Sequence, residues 1–204
     1  TRMITTILFD FGDIFVNLEK EASKKAFEQL GLMGSNPELL AKNELFEKGQ
    51  ISEDEFLSTF LKYLPSSNKE EIKAAWNVVI GEFPLYRLEF LQLLSQKYRL
   101  FLLTNTDEIH IAFFEESVGM SFYTDFYRCF EKVFYSYEMG MRKPQPEIYK
   151  AILHQYELNP KNVLFIDDKK ENTDAAAELG INVWNLKVGK EDVVDLFSKK
   201  ELPL

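Results

Sequence analysis

Residues Ile4–Asn17 read ITTILFDFGDIFVN, and the way this stretch changes character decides the fold. Ile7, Leu8 and Phe9 continue a short, β-branched apolar run, the pattern of a strand buried on both faces. The run stops on Asp10, and Gly12 breaks it, so the strand should end on a carboxylate at the carboxyl edge of a sheet. Open α/β folds bind their ligands there. A carboxylate in that position can be a nucleophile, a metal ligand or simply the opener of a turn. The rest of the chain has to separate these.

Downstream of Asn17 the pattern turns helical for some seventy residues. Leu18 to Leu30 is amphipathic and stops at Gly31. Asn36 and Pro37 supply an N-cap and an N1 proline for a helix carrying Leu39, Leu40, Leu45 and Phe46 that ends near Gly49. Ser52 with Glu55, and Ser67 with Glu70, read as capping boxes for helices over 53–64 and up to about Ile80 and Gly81. With no strand signal among them, these helices are expected to form a separate unit over the sheet edge, residues 15–83, set into a core of residues 1–14 and 84–204. The α/β alternation then resumes. A helix over 85–96 precedes a strand at Tyr98–Leu103 that runs into Thr104, Asn105 and Thr106. A helix over 107–116 and an aromatic-rich connection follow, then a strand at Lys132–Tyr135, the turn GMRKP and a helix over 147–156. Asn162–Ile166 is a buried strand ending on Asp167 and Asp168; an Ala-rich helix over 171–179 and a fifth strand at Ile181–Leu186 close the pattern. The spacing predicts a Rossmann-like, doubly wound parallel sheet with right-handed crossovers.

At 204 residues the chain can bury a substantial core. A single cysteine, Cys129, excludes an internal disulfide and suits a reducing compartment; its apolar neighbours make it a packed small residue. No signal-like leader opens the sequence and no apolar run approaches the ~20 residues of a spanning helix, so a soluble, cytoplasmic protein without membrane partners is expected. A net charge of -9 argues against nucleic acid as a partner, but not against a small anionic metabolite. His110 and His154 are too far apart for a histidine zinc site.

In a parallel sheet the loaded strand ends face one crevice. Asp10 and Asp168 offer hard oxygen ligands, and two carboxylates with waters and a substrate phosphate are a common way to hold Mg²⁺. Thr104 places a hydroxyl beside the amides of Asn105 and Thr106, a donor cluster for phosphate oxygens. Lys143 is a point charge that can neutralise a phosphoryl group and keep Asp10 ionised.

Together FDFGDIF, LLTN, GMRKPQPEIY and VLFIDDKKEN, in that order, resemble the four motifs of the haloacid dehalogenase (HAD) superfamily across essentially the whole chain. The resemblance implies an aspartyl-phosphate on Asp10. It implies Mg²⁺ held by Asp10, Asp168 and the Gly12 carbonyl, and phosphate held by Thr104, Asn105 and Lys143. It also makes the inserted helices a C1 cap. Asp167 is then expected to orient Lys143 or a metal-bound water, and Asn172 either finishes the metal shell or is an exposed helix-start residue.

The pattern departs from the family at Gly12, where its phosphatases usually carry a second aspartate as general acid and base. Asp13 is one residue out of phase and reads as a turn residue. GQISEDEF, GMRKP and IDDKKEN resemble the bacterial α-D-glucose-1-phosphate phosphatase branch, which also carries glycine there. The resulting expectation is a Mg²⁺-dependent phosphatase of a small, phosphorylated metabolite, a sugar 1-phosphate above others, acting as monomer or homodimer. The rivals are a 2-haloacid dehalogenase, which needs no metal, and a non-catalytic phospholigand-binding domain. In the cap, Phe46 and Trp76 could stack on a sugar or serve as core; Phe122, Tyr123, Phe126, Tyr127 and Phe130 suit packing or a dimer contact.

Overall fold

A computed structural model describes residues 3–204, so the first two residues of the 1–14 segment lie outside the described part. Five parallel strands form one sheet in the order β3-β2-β1-β4-β5. They are β1 (Thr6–Phe9), β2 (Arg99–Thr104), β3 (Lys132–Tyr135), β4 (Val163–Asp167) and β5 (Asn182–Asn185). The central strand β1 pairs on both sides, with Phe9 opposite Leu102 of β2 and Ile166 of β4. One residue further on, Asp10 stands level with Asp167, and its N–H donates to the Ile166 carbonyl at 2.9 Å. Register alone therefore brings the loaded strand ends to one edge.

Strand side chains alternate between two apolar layers, as a period of two requires. Ile7, Phe9, Leu100, Leu102, Leu164 and Ile166 pack on one face, with Leu88, Leu91 and Leu94 of α5 (Leu85–Leu94), Phe114 of α6 (Glu108–Val118) and Phe126 of α7 (Met120–Arg128). Leu8, Phe101, Leu103 and Phe165 pack on the other, under Ile148, Tyr149 and Ile152 of α9 (Pro146–Gln155) and Ala176 of α10 (Lys170–Glu178). Helix α7 is a correction to the aromatic-rich connection expected between α6 and β3. It forms because Phe126 reaches inward to Phe11, Phe15, Phe83, Phe114 and Phe130, so the aromatic cluster is packing. A short α8 (Ser136–Met139) lies just before the GMRKP turn.

Helices α1 (Lys20–Leu30), α2 (Pro37–Glu47), α3 (Glu53–Tyr63) and α4 (Lys69–Asn77) share a third apolar cluster. It contains Phe27, Leu39, Phe46, Phe56, Phe60, Ile72 and Trp76, with Ile109 of α6 beneath. Phe15, Val16 and Phe83 instead pack in the sheet layer. Gly31 takes the left-handed conformation that ends α1, and Asn36 caps α2 with Pro37 behind it. The capping box of α4 is Asn68 with Glu71, one residue later than Ser67 with Glu70. Asn68 Oδ1 accepts the Glu71 N–H at 2.8 Å while Glu71 accepts the Asn68 N–H at 3.1 Å. Asparagine competes well with serine at an N-cap, so composition does not separate the two registers.

The two segments that leave and re-enter the sheet layer run side by side. Asn17 N–H donates to Glu82 O, Gly81 N–H to Asn17 O and Glu19 N–H to Val79 O, each at 2.8 Å. A Cβ on Gly81 would come within 2.7 Å of the Asn17 carbonyl, so only glycine permits this neck.

Candidate active site

Lys143 is the hub of the sheet edge. Its Nζ donates to Asp10 Oδ1 at 2.8 Å, to the Leu103 carbonyl at 2.9 Å and to Asp167 Oδ2 at 2.9 Å, which uses all three ammonium protons. The side chain is 1% exposed. Burial opposes its charge, but Asp10 and Asp167 outweigh that and hold the ammonium above its ordinary range. Asn105 fixes the main chain on either side: its Oδ1 accepts the Lys143 N–H and its Nδ2 donates to the Lys143 carbonyl, both at 2.9 Å. The Lys143–Pro144 peptide is cis.

Asp167 is saturated, accepting from Lys143, from Asn172 Nδ2 at 3.0 Å and from the Lys169 N–H at 2.8 Å. Burial raises its carboxyl, yet these donors bring it below the usual carboxylate range. Asp10 goes the other way. Burial, the Asp167 charge and then Asp168 push it well above that range against the pull of Lys143. Asp168 is likewise raised by burial and by Asp167. Asp10, Asp167 and Asp168 offer carboxylate oxygens within 4.8 Å of one another, and Lys143 cannot compensate all three. Asn172 is buried, which corrects the exposed helix-start alternative, and its Oδ1 has no hydrogen-bond partner. An orphaned oxygen beside clustered carboxylates fits a hard divalent cation.

Asp10, Lys143, Asp168 and Asn172 line a small compartment of about 100 Å³ that also includes Gly12, Leu18, Lys20, Thr104, Asn105 and Lys169, with Asp167 buried behind it. Thr104 is the last residue of β2 and is buried. The expected donor cluster needs one correction: the Thr106 N–H is spent on Ser136 Oγ at 3.0 Å. Among the described residues the Thr104 hydroxyl and the Asn105 N–H have no protein acceptor. The side-chain amide of Asn105 is committed to Lys143, so any contact with phosphate falls to its main chain. Gly12 lines the same wall, and a Cβ there would lie 2.8 Å from Leu18 Cδ1. Leu18 thus fills the space a side chain at position 12 would need. Asp13 has a φ of 62°, accepts the Leu18 N–H at 2.9 Å and pairs with Lys20 at 3.8 Å, as a turn residue does. Cys129 stays a half-buried thiol, pushed up to about 11 by burial.

Gly12, Leu18, Thr104, Asn105 and Lys169 also border a second cavity of about 250 Å³, which extends toward α2 and α4. Trp76 lines it but stacks on His110, with ring centroids 4.6 Å apart, while Phe46 is core, stacked on Phe56. Asn43 and Glu47 of α2, absent from the sequence-derived site, stand in this wall. The available signal was a polar residue on an apolar stripe: Asn43 sits four after Leu39 and three before Phe46.

A doubly wound parallel sheet that gathers carboxylates, a buried lysine and a hydroxyl at one carboxyl edge defines an α/β enzyme. The haloacid dehalogenase-like hydrolase family matches residues 4–180, and the chain belongs to that family of hydrolases. It is 28% identical over 201 residues to a D-ribitol-5-phosphate phosphatase of Bacteroides thetaiotaomicron, covering 93% of this chain and 95% of the relative. Its fold matches the HAD family enzyme BT-2542 of the same organism. The magnesium complex of that enzyme superposes with a TM-score of 0.87 at 34% identity, covering 96% of this chain and 99% of the other. Its wild-type complex with magnesium and inorganic phosphate gives 0.80 at 33%, covering 92% and 96%. Among the described residues no helix is long and apolar enough to cross a membrane.

Proposed function

We propose that this hydrolase is a Mg²⁺-dependent phosphatase of a small sugar or polyol phosphate and works through an aspartyl-phosphate on Asp10. The observation that carries the reading is the Lys143 hub, which aims a buried cation at Asp10 inside a cluster of carboxylates. The Thr104 hydroxyl and the Asn105 N–H hold the phosphoryl oxygens, the Lys143 charge beside Asp10 offsets the phosphoryl charge, and the Asp10 carboxylate attacks phosphorus to expel the alcohol. Water then hydrolyses the acyl phosphate. Asp10, Asp168 and the Gly12 carbonyl would hold the ion, with the free Asn172 Oδ1 beside them. When bound, Mg²⁺ supplies the positive charge that three carboxylates and a phosphate lack. Helices α1–α4 act as a cap that excludes water.

The ribitol phosphate specificity of the relative and the magnesium and phosphate in solved homologues support this reading. A 2-haloacid dehalogenase needs no cation, and a carboxylate cluster with one lysine is costly for an enzyme without one. A non-catalytic phospholigand-binding domain is the other rival, and only turnover separates it.

With glycine at position 12, the leaving group has no aspartate above it to donate a proton, assistance usually worth ~10²–10⁴ in rate. Esters of more acidic alcohols should therefore react faster in the chemical step. We expect single-turnover rates with Mg²⁺ to rank p-nitrophenyl phosphate, glucose 1-phosphate, glucose 6-phosphate, and EDTA to abolish all three. A fastest or equal 6-phosphate would mean that another group supplies the proton. No turnover of any ester would reject the phosphatase.

A further inference from the structure

The 250 Å³ cavity joins the carboxylate compartment through Thr104 and Gly12, so an alcohol esterified to a phosphate held there extends into it. Its polar wall is unevenly committed. On the α6 side, Asp107 accepts from the Trp76 indole at 3.2 Å and from His110, and both His110 ring nitrogens are engaged, so nothing there is free. On the α2 side the situation reverses. The Asn43 Oδ1 is buried without a partner. Glu47 gives one oxygen, Oε1, to both Arg142 Nε at 3.1 Å and Arg142 Nη2 at 3.0 Å, while its Oε2 receives no hydrogen bond from the described residues. Asn43 and Glu47 lie four residues apart on α2 and so project from one helix face a turn apart.

The free polar groups that the helices present here are the Asn43 Oδ1 and Glu47 Oε2 acceptors, the Asn43 amide nitrogen as a donor and the Ser23 hydroxyl, which can do either, while Lys169 stands at the carboxylate end, bordering both cavities. Hydroxyls, which donate and accept, complete such a wall. Resting on the phosphatase reading above, we infer that Asn43 and Glu47 are the specificity-determining pair, accepting hydrogen bonds from hydroxyls of a neutral polyhydroxylated leaving group and rejecting a carboxylate or second phosphate. Arg142 sets the direction of Glu47, and because it directly precedes Lys143, it ties the α2 wall to the phosphate side of the site. The Glu47 carboxyl, raised by burial against the pull of Arg142, keeps a hydroxyl-binding role in either protonation state. A buried, unpaired amide oxygen is costly, which gives the substrate hydroxyl a free-energy advantage on arrival.

The test uses the Mg²⁺-loaded protein with three esters: ribitol 5-phosphate, p-nitrophenyl phosphate, which has no hydroxyls, and phosphoglycolate, which carries a carboxylate. In Asn43→Ala the kcat/KM ratio of ribitol 5-phosphate to p-nitrophenyl phosphate should fall about tenfold, mainly through KM. Glu47→Gln keeps shape and removes charge, so phosphoglycolate should gain about tenfold on ribitol 5-phosphate. Equal losses on both hydroxylated and aryl esters, or an unmoved phosphoglycolate ratio in Glu47→Gln, overturn the pair while leaving the phosphatase in place. Absence of turnover on all three esters overturns both.

Discussion

The floor and the roof of the site are built on opposite principles. On the floor, Lys143 spends every proton and Asp167 accepts three donors, so charge is fixed in place before any ligand arrives. On the roof, Asn43 Oδ1 and one oxygen of Glu47 have no protein partner. Preorganised charge suits a reaction centre, where reorganisation during the chemical step is costly. Unspent acceptors suit recognition, where the ligand completes them. The floor should therefore respond to substitution in rate and stability, and the roof in selectivity.

The largest test of that contrast sets Asp10→Asn against Lys143→Met. On the proposed mechanism Asp10→Asn removes the nucleophile, and kcat should fall by about 10⁴-fold or more. Because burial and then its like-charged neighbours raise Asp10, the metal-free protein should lose no stability and can gain some. Lys143→Met should be as inactive but leaves Asp10 and Asp167 buried without their cation, a loss of about 3–5 kcal/mol. Denaturant unfolding in EDTA measures the pair. Equal stabilities for the two variants would show that the floor is not held together by charge.

Next in size is the effect of metal. Asp168→Ala leaves the Lys143 contacts with Asp10 and Asp167 untouched, so the expected loss is in ion affinity. The Mg²⁺ concentration for half-maximal activity should rise about tenfold or more. An unchanged titration would take Asp168 out of the metal shell and leave Asn172 Oδ1 unexplained.

The same contrast explains what the sequence could disclose. Asp10, Thr104, Lys143 and Asp168 stand at or just beyond strand ends or in a proline-marked turn, and a parallel sheet has one carboxyl edge. Strand order and register then do the positioning, through pairs such as Phe9 with Ile166. Asn43 and Glu47 had no such frame. On a helix the side that meets a cavity and the side that meets a neighbouring helix share one periodicity, and Phe46 and Trp76, the residues that stood out, turn toward other side chains. The Asn68 cap and α7 were hidden for local reasons: two good N-caps in succession, and an aromatic run whose helical phase shows only once Phe126 has a core to enter.

The smallest expected effect lies where roof meets floor. His110 stacks on Trp76 of α4, its Nδ1 lies 3.1 Å from Asp107 Oδ2 and its Nε2 lies 2.9 Å from the Trp76 carbonyl. Both partners only accept if Asp107 is ionised, so both ring nitrogens donate, which only the imidazolium can do. Burial works against that charge, but Asp107, the Trp76 carbonyl and the more distant Glu47 outweigh it and raise the His110 value. A raised folded-state value means that the stabilisation is complete below the unfolded value, ~6.5, and is lost as pH rises through the folded one. The stability advantage of wild type over His110→Gln should therefore shrink by about 1 kcal/mol on going from acid to alkaline pH, the worth of one hydrogen bond. With only two histidines in the chain, His154→Gln leaves a single imidazole whose NMR titration checks the same shift. If that titration falls below the free-histidine value, or if the advantage grows with pH, His110 is a neutral spacer. On this side the roof is then held to the floor by packing of Trp76 and Ile109, and the Arg142–Glu47 pair is left as the charged link between the two regions.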